Sequence, residues 1–180
     1  VVISLICYYI LNLYARRSTM DKNNLNFLDA IRIAMEAEGK AAMFYKEAAG
    51  KTPNPVGRKL LEQLSDFERH HHSQLQALEE SLCDDGACIM YAGRELDFDV
   101  PEEVEGIKEA DKMSAMGIID AAIEIKRQAE KRYTALSEET NDPNGQAMFR
   151  RLAEEELANR HILQEAYWSV NNRGEWVPSQ

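Results

Sequence analysis

Four stretches of the chain place their apolar residues at alternating steps of three and four. Ile31, Met35, Ala42, Tyr45 and Ala49 make the first stripe, and Leu64, Leu75, Leu78 and Leu82 the second. Ile119, Ile123, Ala129 and Tyr133 make the third, and Phe149, Leu152, Leu163, Ala166 and Val170 the fourth. Such steps keep each set on one side of a helix. The pattern predicts helices from Leu28 to about Ala49, about Arg58 to Leu82, about Ala115 to Glu138 and about Gln146 to Val170. Helix breakers fill the first gap (Pro53, Asn54, Pro55, Gly57) and the last (Asn141, Pro143, Asn144, Gly145). The middle gap, Cys83 to Ser114, runs for about thirty residues, holds Gly86, Gly93 and Pro101, and shows little periodicity.

The two helix pairs are versions of one another. A constant offset of 88 residues aligns residues 31–81 with 119–169 without a gap, and thirteen positions are identical. Among them are Ile31/Ile119, Glu36/Glu124, Tyr45/Tyr133, Pro55/Pro143, Gly57/Gly145, Leu64/Leu152, Glu68/Glu156 and Leu75/Leu163. The repeated unit is a helical hairpin. Two hairpins joined by one long crossover predict an all-α four-helix bundle with pseudo-two-fold symmetry over residues 20–170. Residues 171–180 form a tail that turns at Asn171–Gly174 and lets Trp176 pack back.

Polar residues interrupt every stripe at mid-length. Glu38 does so in the first helix, Glu68 and His71 in the second, Lys126 in the third, and Glu156 and Asn159 in the fourth. An unpaired buried charge costs several kcal/mol, so these groups must meet one another, a metal ion, or both. Carboxylates with a neutral imidazole suit iron or manganese, and the three-residue step from Glu68 to His71 lets both reach one ion. Tyr45 and Tyr133 are placed to hydrogen-bond ligand carboxylates. Glu36 and Glu124 flank the stripes and are assigned flanking or second-layer roles. His70, His72 and His161 are assigned to surface positions, as are Glu154 and Glu155, leaving Glu156 as the inward member of that acidic run.

The segments Ala34–Tyr45 (AMEAEGKAAMFY) and Asp66–His71 (DFERHH) resemble the rubrerythrin-like branch of the ferritin-like diiron-carboxylate proteins, and the resemblance extends over roughly residues 27–170. It implies a ligand pattern of one Glu from each of two helices and Glu-x-x-His from each of the other two. Position by position, it makes Glu38, Glu68, His71 and Glu156 metal ligands. Two positions depart: Lys126 stands where the third helix should supply a Glu, and Asn159 where the fourth should supply a His. Three carboxylates and one ammonium leave −2, enough for one divalent ion. The expectation is therefore one metal or none, with Lys126 salt-bridged to Glu156 or Glu68; a two-ion site would need Glu130, one turn beyond Lys126, to substitute. The resemblance further implies iron reacting with peroxide or oxygen, an external electron donor, and a homodimer. The alternative is a metal-free or single-metal scaffold without catalysis.

Composition narrows the partners. The formal net charge of the 180-residue chain is −10, and no Lys/Arg cluster offers phosphates a footprint, which argues against nucleic acid. Three cysteines, Cys7, Cys83 and Cys88, are too few and too irregular for a disulfide framework, and no Cys-x-x-Cys pair exists. A reducing cytoplasm fits these features. Residues 1–15 are apolar apart from Ser4 and Asn12, with Arg16 and Arg17 following. The run lacks the layout of a secretory signal and is short of the roughly 20 residues of a membrane span. Two readings of residues 1–19 stay open: the remnant of an anchor that would hold the domain on the cytoplasmic side, or a non-native stretch ahead of Met20.

Overall fold

A computed structural model describes residues 27–84, 91–96, 107–141 and 143–176. The apolar stretch 1–19, Cys7, Cys88 and the side chain of Cys83 lie outside the described residues. Four helices follow in order: α1 (Phe27–Lys51), α2 (Pro55–Asp84), α3 (Lys112–Glu139) and α4 (Pro143–Arg173). Among the described residues there is no strand, and no helix is long and apolar enough to cross a membrane.

Three helices begin about three residues before the apolar periodicity does. Proline supplies a preset φ and lacks an N–H that the first turn would leave unpaired anyway, so Pro55 and Pro143 open α2 and α4 rather than merely preceding them. Asn54 caps α2 through Oδ1, which accepts from the Val56 and Gly57 amides at 3.0 and 3.3 Å. Asp111 caps α3 in the same way, accepting from Ser114 N at 3.0 Å.

Helices α1 and α2 pack against each other along their length, as do α3 and α4, giving the two hairpins of a four-helix bundle. The core is split in two. One apolar cluster gathers Tyr45 and Phe44 of α1, Leu60 and Leu64 of α2, Ile118 and Ile119 of α3, and Leu163 and Val170 of α4. The other gathers Ile31, Leu75, Leu78, Tyr133, Leu136, Phe149 and Leu152. Each helix crosses from one cluster to the other, with its polar residue at the crossing point. The order of crossing shows that α2 and α3 run in the same direction, so their connection must traverse the bundle. The polar residues therefore share one layer, sealed above and below by packed hydrocarbon.

The C-terminal tail closes the bundle at the N-terminal end of α2. Trp176 is fully buried against Gly57, where an added Cβ would stand 2.5 Å from the indole. The indole N–H donates to Glu109 at 2.5 Å, and Glu109 N donates to Gly174 O at 2.6 Å. Gly174, with φ of 73°, supplies the left-handed turn that directs the tail there.

Candidate metal centre

Glu38, Glu68, His71 and Glu156 each place one ligand-type atom within 4.8 Å of those of the other three. All four are buried, at 2% exposure or less. Lys126 joins them, also fully buried, with Nζ 2.5 Å from Glu68 Oε1 and 2.9 Å from Glu156 Oε2. The ammonium thus bridges the two carboxylates related by the repeat. His71 Nδ1 faces the same space, 2.9 Å from Glu156 Oε1 and 3.7 Å from Glu68 Oε2. Tyr133 donates its hydroxyl to Glu38 Oε1 at 2.5 Å, and Arg132 stands 3.6 Å from that oxygen at the rim of the layer.

These contacts are close but mostly undirected. Both oxygens of Glu68, both of Glu156, His71 Nδ1 and Lys126 Nζ lack any hydrogen bond of proper geometry. Buried polar atoms in native proteins are normally hydrogen-bonded; here three carboxylates and an imidazole instead crowd ligand-type atoms within 4.8 Å of one another. That donor set fits a divalent transition-metal ion such as iron or manganese. With the three carboxylates ionised and His71 neutral, as metal ligation would require, Glu38, Glu68 and Glu156 carry −3 and Lys126 +1, leaving −2 to match one such ion.

The electrostatics follow from burial and crowding. Burial, reinforced by the Glu156 and Glu38 carboxylates, raises the Glu68 carboxyl well above its usual range despite Lys126. Burial also works against a charged Glu156, yet Lys126 and His71 outweigh it and hold that carboxyl down to about 2. For His71, desolvation is overcome by the hydrogen bond to Glu155 and by the close Glu156 carboxylate, which push the imidazole up to about 10. Lys126 is raised as well: Glu156 and Glu68 outweigh its desolvation, so it stays an ammonium. Burial followed by the Glu38 charge raises Tyr133, which remains a hydroxyl donor.

Other residues singled out from the sequence are placed elsewhere. Asn159 is buried in α4 with Nδ2 unpaired, whereas Glu130 is drawn away into a 2.8 Å ion pair with Arg160. Tyr45 donates to the Ala122 carbonyl at 3.5 Å, and its ring centroid lies 5.9 Å from Lys126 Nζ. Glu36 pairs with Lys40 at 2.5 Å and Glu124 with Arg127 at 2.6 Å. Both pairs lie along the outer face of their own helix, which agrees with the flanking role and not with the second-layer one. His161 is exposed, while His70 and His72 are half-buried.

Glu155 also needs correction. It is buried rather than solvated, and its Oε2 lies 2.9 Å from His71 Nε2. The buried arc of α4 is wide enough to hold a second column, Met148, Leu152, Glu155 and Asn159, whose steps of four, three and four were available as a signal.

A family model described as Rubrerythrin matches residues 10–79, a span that contains Glu38, Glu68 and His71. Among solved structures, a hypothetical protein from Pyrococcus furiosus is similar in fold, with a TM-score of 0.67 and 20% identity over 86% of this chain and 96% of that one. The chain is thus similar to the Rubrerythrin family over α1 and most of α2, and it shares its fold with the Pyrococcus furiosus protein. No curated protein matches this chain. The carboxylate/His cluster is of a kind that could hold a metal ion. Lys126 places a cation of the chain's own in the middle of that cluster.

Proposed function

We propose that this ferritin-like protein holds one divalent transition-metal ion, iron foremost with manganese as the chemical alternative, and reacts with peroxide or dioxygen. The observation that carries the reading is the bridging position of Lys126. Its ammonium lies within 3 Å of both repeat-related carboxylates and takes the charge-balancing place of one of two ions. Glu38, Glu68, His71 and Glu156 would hold the remaining ion. Iron bound there would supply one-electron redox chemistry toward a small oxidant.

The chain's own residues set the conditions for that chemistry. Tyr133 fixes the Glu38 carboxylate through its hydroxyl. Lys126 holds a permanent positive charge against Glu68 and Glu156, stabilising negative charge in the layer without exchange or loss. Phe67 lies against Lys126 and His71, and the ligand-type side chains are essentially inaccessible, which suits a substrate no larger than a diatomic or a peroxide. Electrons for repeated turnover would come from an external donor.

A second reading has its own observation. Lys126 with a protonated His71 offsets much of the acidic charge without any ion, as a retained structural scaffold would require. Protein purified from iron-supplied cells separates the two. The metal reading predicts bound iron, a lower unfolding temperature after chelation, and consumption of hydrogen peroxide when an artificial reductant is present. Substoichiometric metal with unchanged stability after chelation supports the scaffold.

A further inference from the structure

The crossover does more than connect the hairpins. Residues 91–96 lie over the outer side of His71 and converge on Glu155, a carboxylate with donors from three parts of the chain. Tyr91 donates its hydroxyl to Glu155 Oε2 at 2.7 Å, and the Arg94 backbone N–H donates to Oε1 at 2.7 Å. Arg151 Nε, one turn earlier in α4, stands 3.3 Å from Oε1. His71 Nε2 completes the set at 2.9 Å from Oε2. Glu155 is thus saturated with donors, the opposite of Glu68 and Glu156, whose oxygens are without directed partners. One kind of carboxylate is built to hold a ligand's back, the other to face an ion.

The geometry fixes the histidine. Of the two ring nitrogens only Nε2 has a hydrogen bond of proper geometry, to Glu155, so in a neutral His71 the proton belongs on Nε2 and the lone pair on Nδ1. Nδ1 is the nitrogen turned toward Glu156, Glu68 and Glu38. The segment is fitted for this contact. Gly93 has φ of 84°, and an added Cβ would meet Arg151 Nε at 2.1 Å and Glu155 Oε1 at 2.8 Å, so only glycine lets the backbone come close enough for the Arg94 amide to reach the carboxylate. Arg94 then lies over the Phe67 ring at 5.5 Å, and Phe67 meets His71 edge-on at 4.8 Å.

We infer that Glu155, clamped by Tyr91 and the Arg94 amide, is the positioning residue that prepares His71 for metal, so that docking of the crossover and loading of the site are linked. The inference rests on the metal reading above. Linkage is reciprocal: if the docked crossover strengthens metal binding, bound metal must strengthen docking by the same factor. Neither Tyr91 nor Glu155 is among the residues that would hold the ion, so their influence would pass through the orientation and basicity of His71.

Cobalt(II) tests this, because its visible bands report ligand geometry and its uptake is measured by titration. Wild type, Glu155→Gln and Tyr91→Phe are compared, with helicity confirmed by circular dichroism and cleavage after Arg94 by trypsin followed by mass spectrometry. The expected wild-type result is one cobalt per chain and slower cleavage after Arg94 when cobalt is bound. Glu155→Gln should weaken cobalt binding by about 10- to 100-fold, the usual size of such outer-ligand changes, and alter the visible spectrum. Tyr91→Phe removes one hydrogen bond, keeps the ring, and should weaken binding by about 3- to 10-fold; in both variants cobalt should protect Arg94 less. Wild type binding one cobalt while both folded variants bind within twofold of it, with Arg94 cleavage insensitive to metal, overturns the inference and leaves the metal reading standing. Wild type taking up no cobalt overturns the metal reading itself, and the inference with it.

Discussion

Lys126 decides how this site differs from the arrangement its repeat would otherwise produce. Removing one partner of a buried charge cluster leaves the others uncompensated, a change worth about 3–5 kcal/mol. Lys126→Met keeps the length of the side chain and deletes the ammonium from between Glu68 and Glu156. Metal-free Lys126→Met should accordingly lose about 3–5 kcal/mol of unfolding free energy by urea titration, and saturating divalent metal should stabilise it more than it stabilises wild type. Equal stability of the two metal-free proteins would mean that Lys126 does not offset these carboxylates. Lys126, Glu68 and Glu156 were legible as neighbours because each breaks an apolar stripe at the same depth. Glu155 was not, since a single line of residues drawn along a helix misses the second column of a buried arc, and its partners Tyr91 and Arg94 lie in a segment with no periodicity to read.

At the scale of elements, the repeat exposed both hairpins because pairing is written into helical periodicity and into the turn residues Pro55/Pro143 and Gly57/Gly145. Boundaries were less legible: a proline reads as a breaker, yet at a helix's first position it starts the helix. The docking of the tail was signalled only by Trp176 standing alone beyond the last stripe. Gly57 is the counterpart that the tail needs, because any side chain there invades the indole's space. Gly57→Ala is expected to dislodge Trp176 and red-shift its fluorescence; Trp168, half-exposed in α4, can be replaced by Phe beforehand to isolate the signal. An unchanged emission maximum in that background would show that the close approach is not obligatory.

For the whole molecule, the two apolar clusters and the ionic layer between them form one device. The clusters exclude water from both sides of the layer, which makes its charges expensive unless they balance. In the metal reading, with three inward carboxylates, one ammonium and a neutral His71, one divalent ion completes the balance, and exchanging Lys126 for Glu would change the requirement to two. Lys126→Glu combined with Asn159→His restores the full ligand pattern of paired helices, and the double variant should take up a second ion. Metal stoichiometry at saturation, measured anaerobically with iron(II) by elemental analysis on wild type and the double variant side by side, tests this most directly. The expected result is one iron per wild-type chain and two per variant chain. Two irons in wild type, or no gain in the variant, would contradict the assignment of Lys126 to the place of an ion.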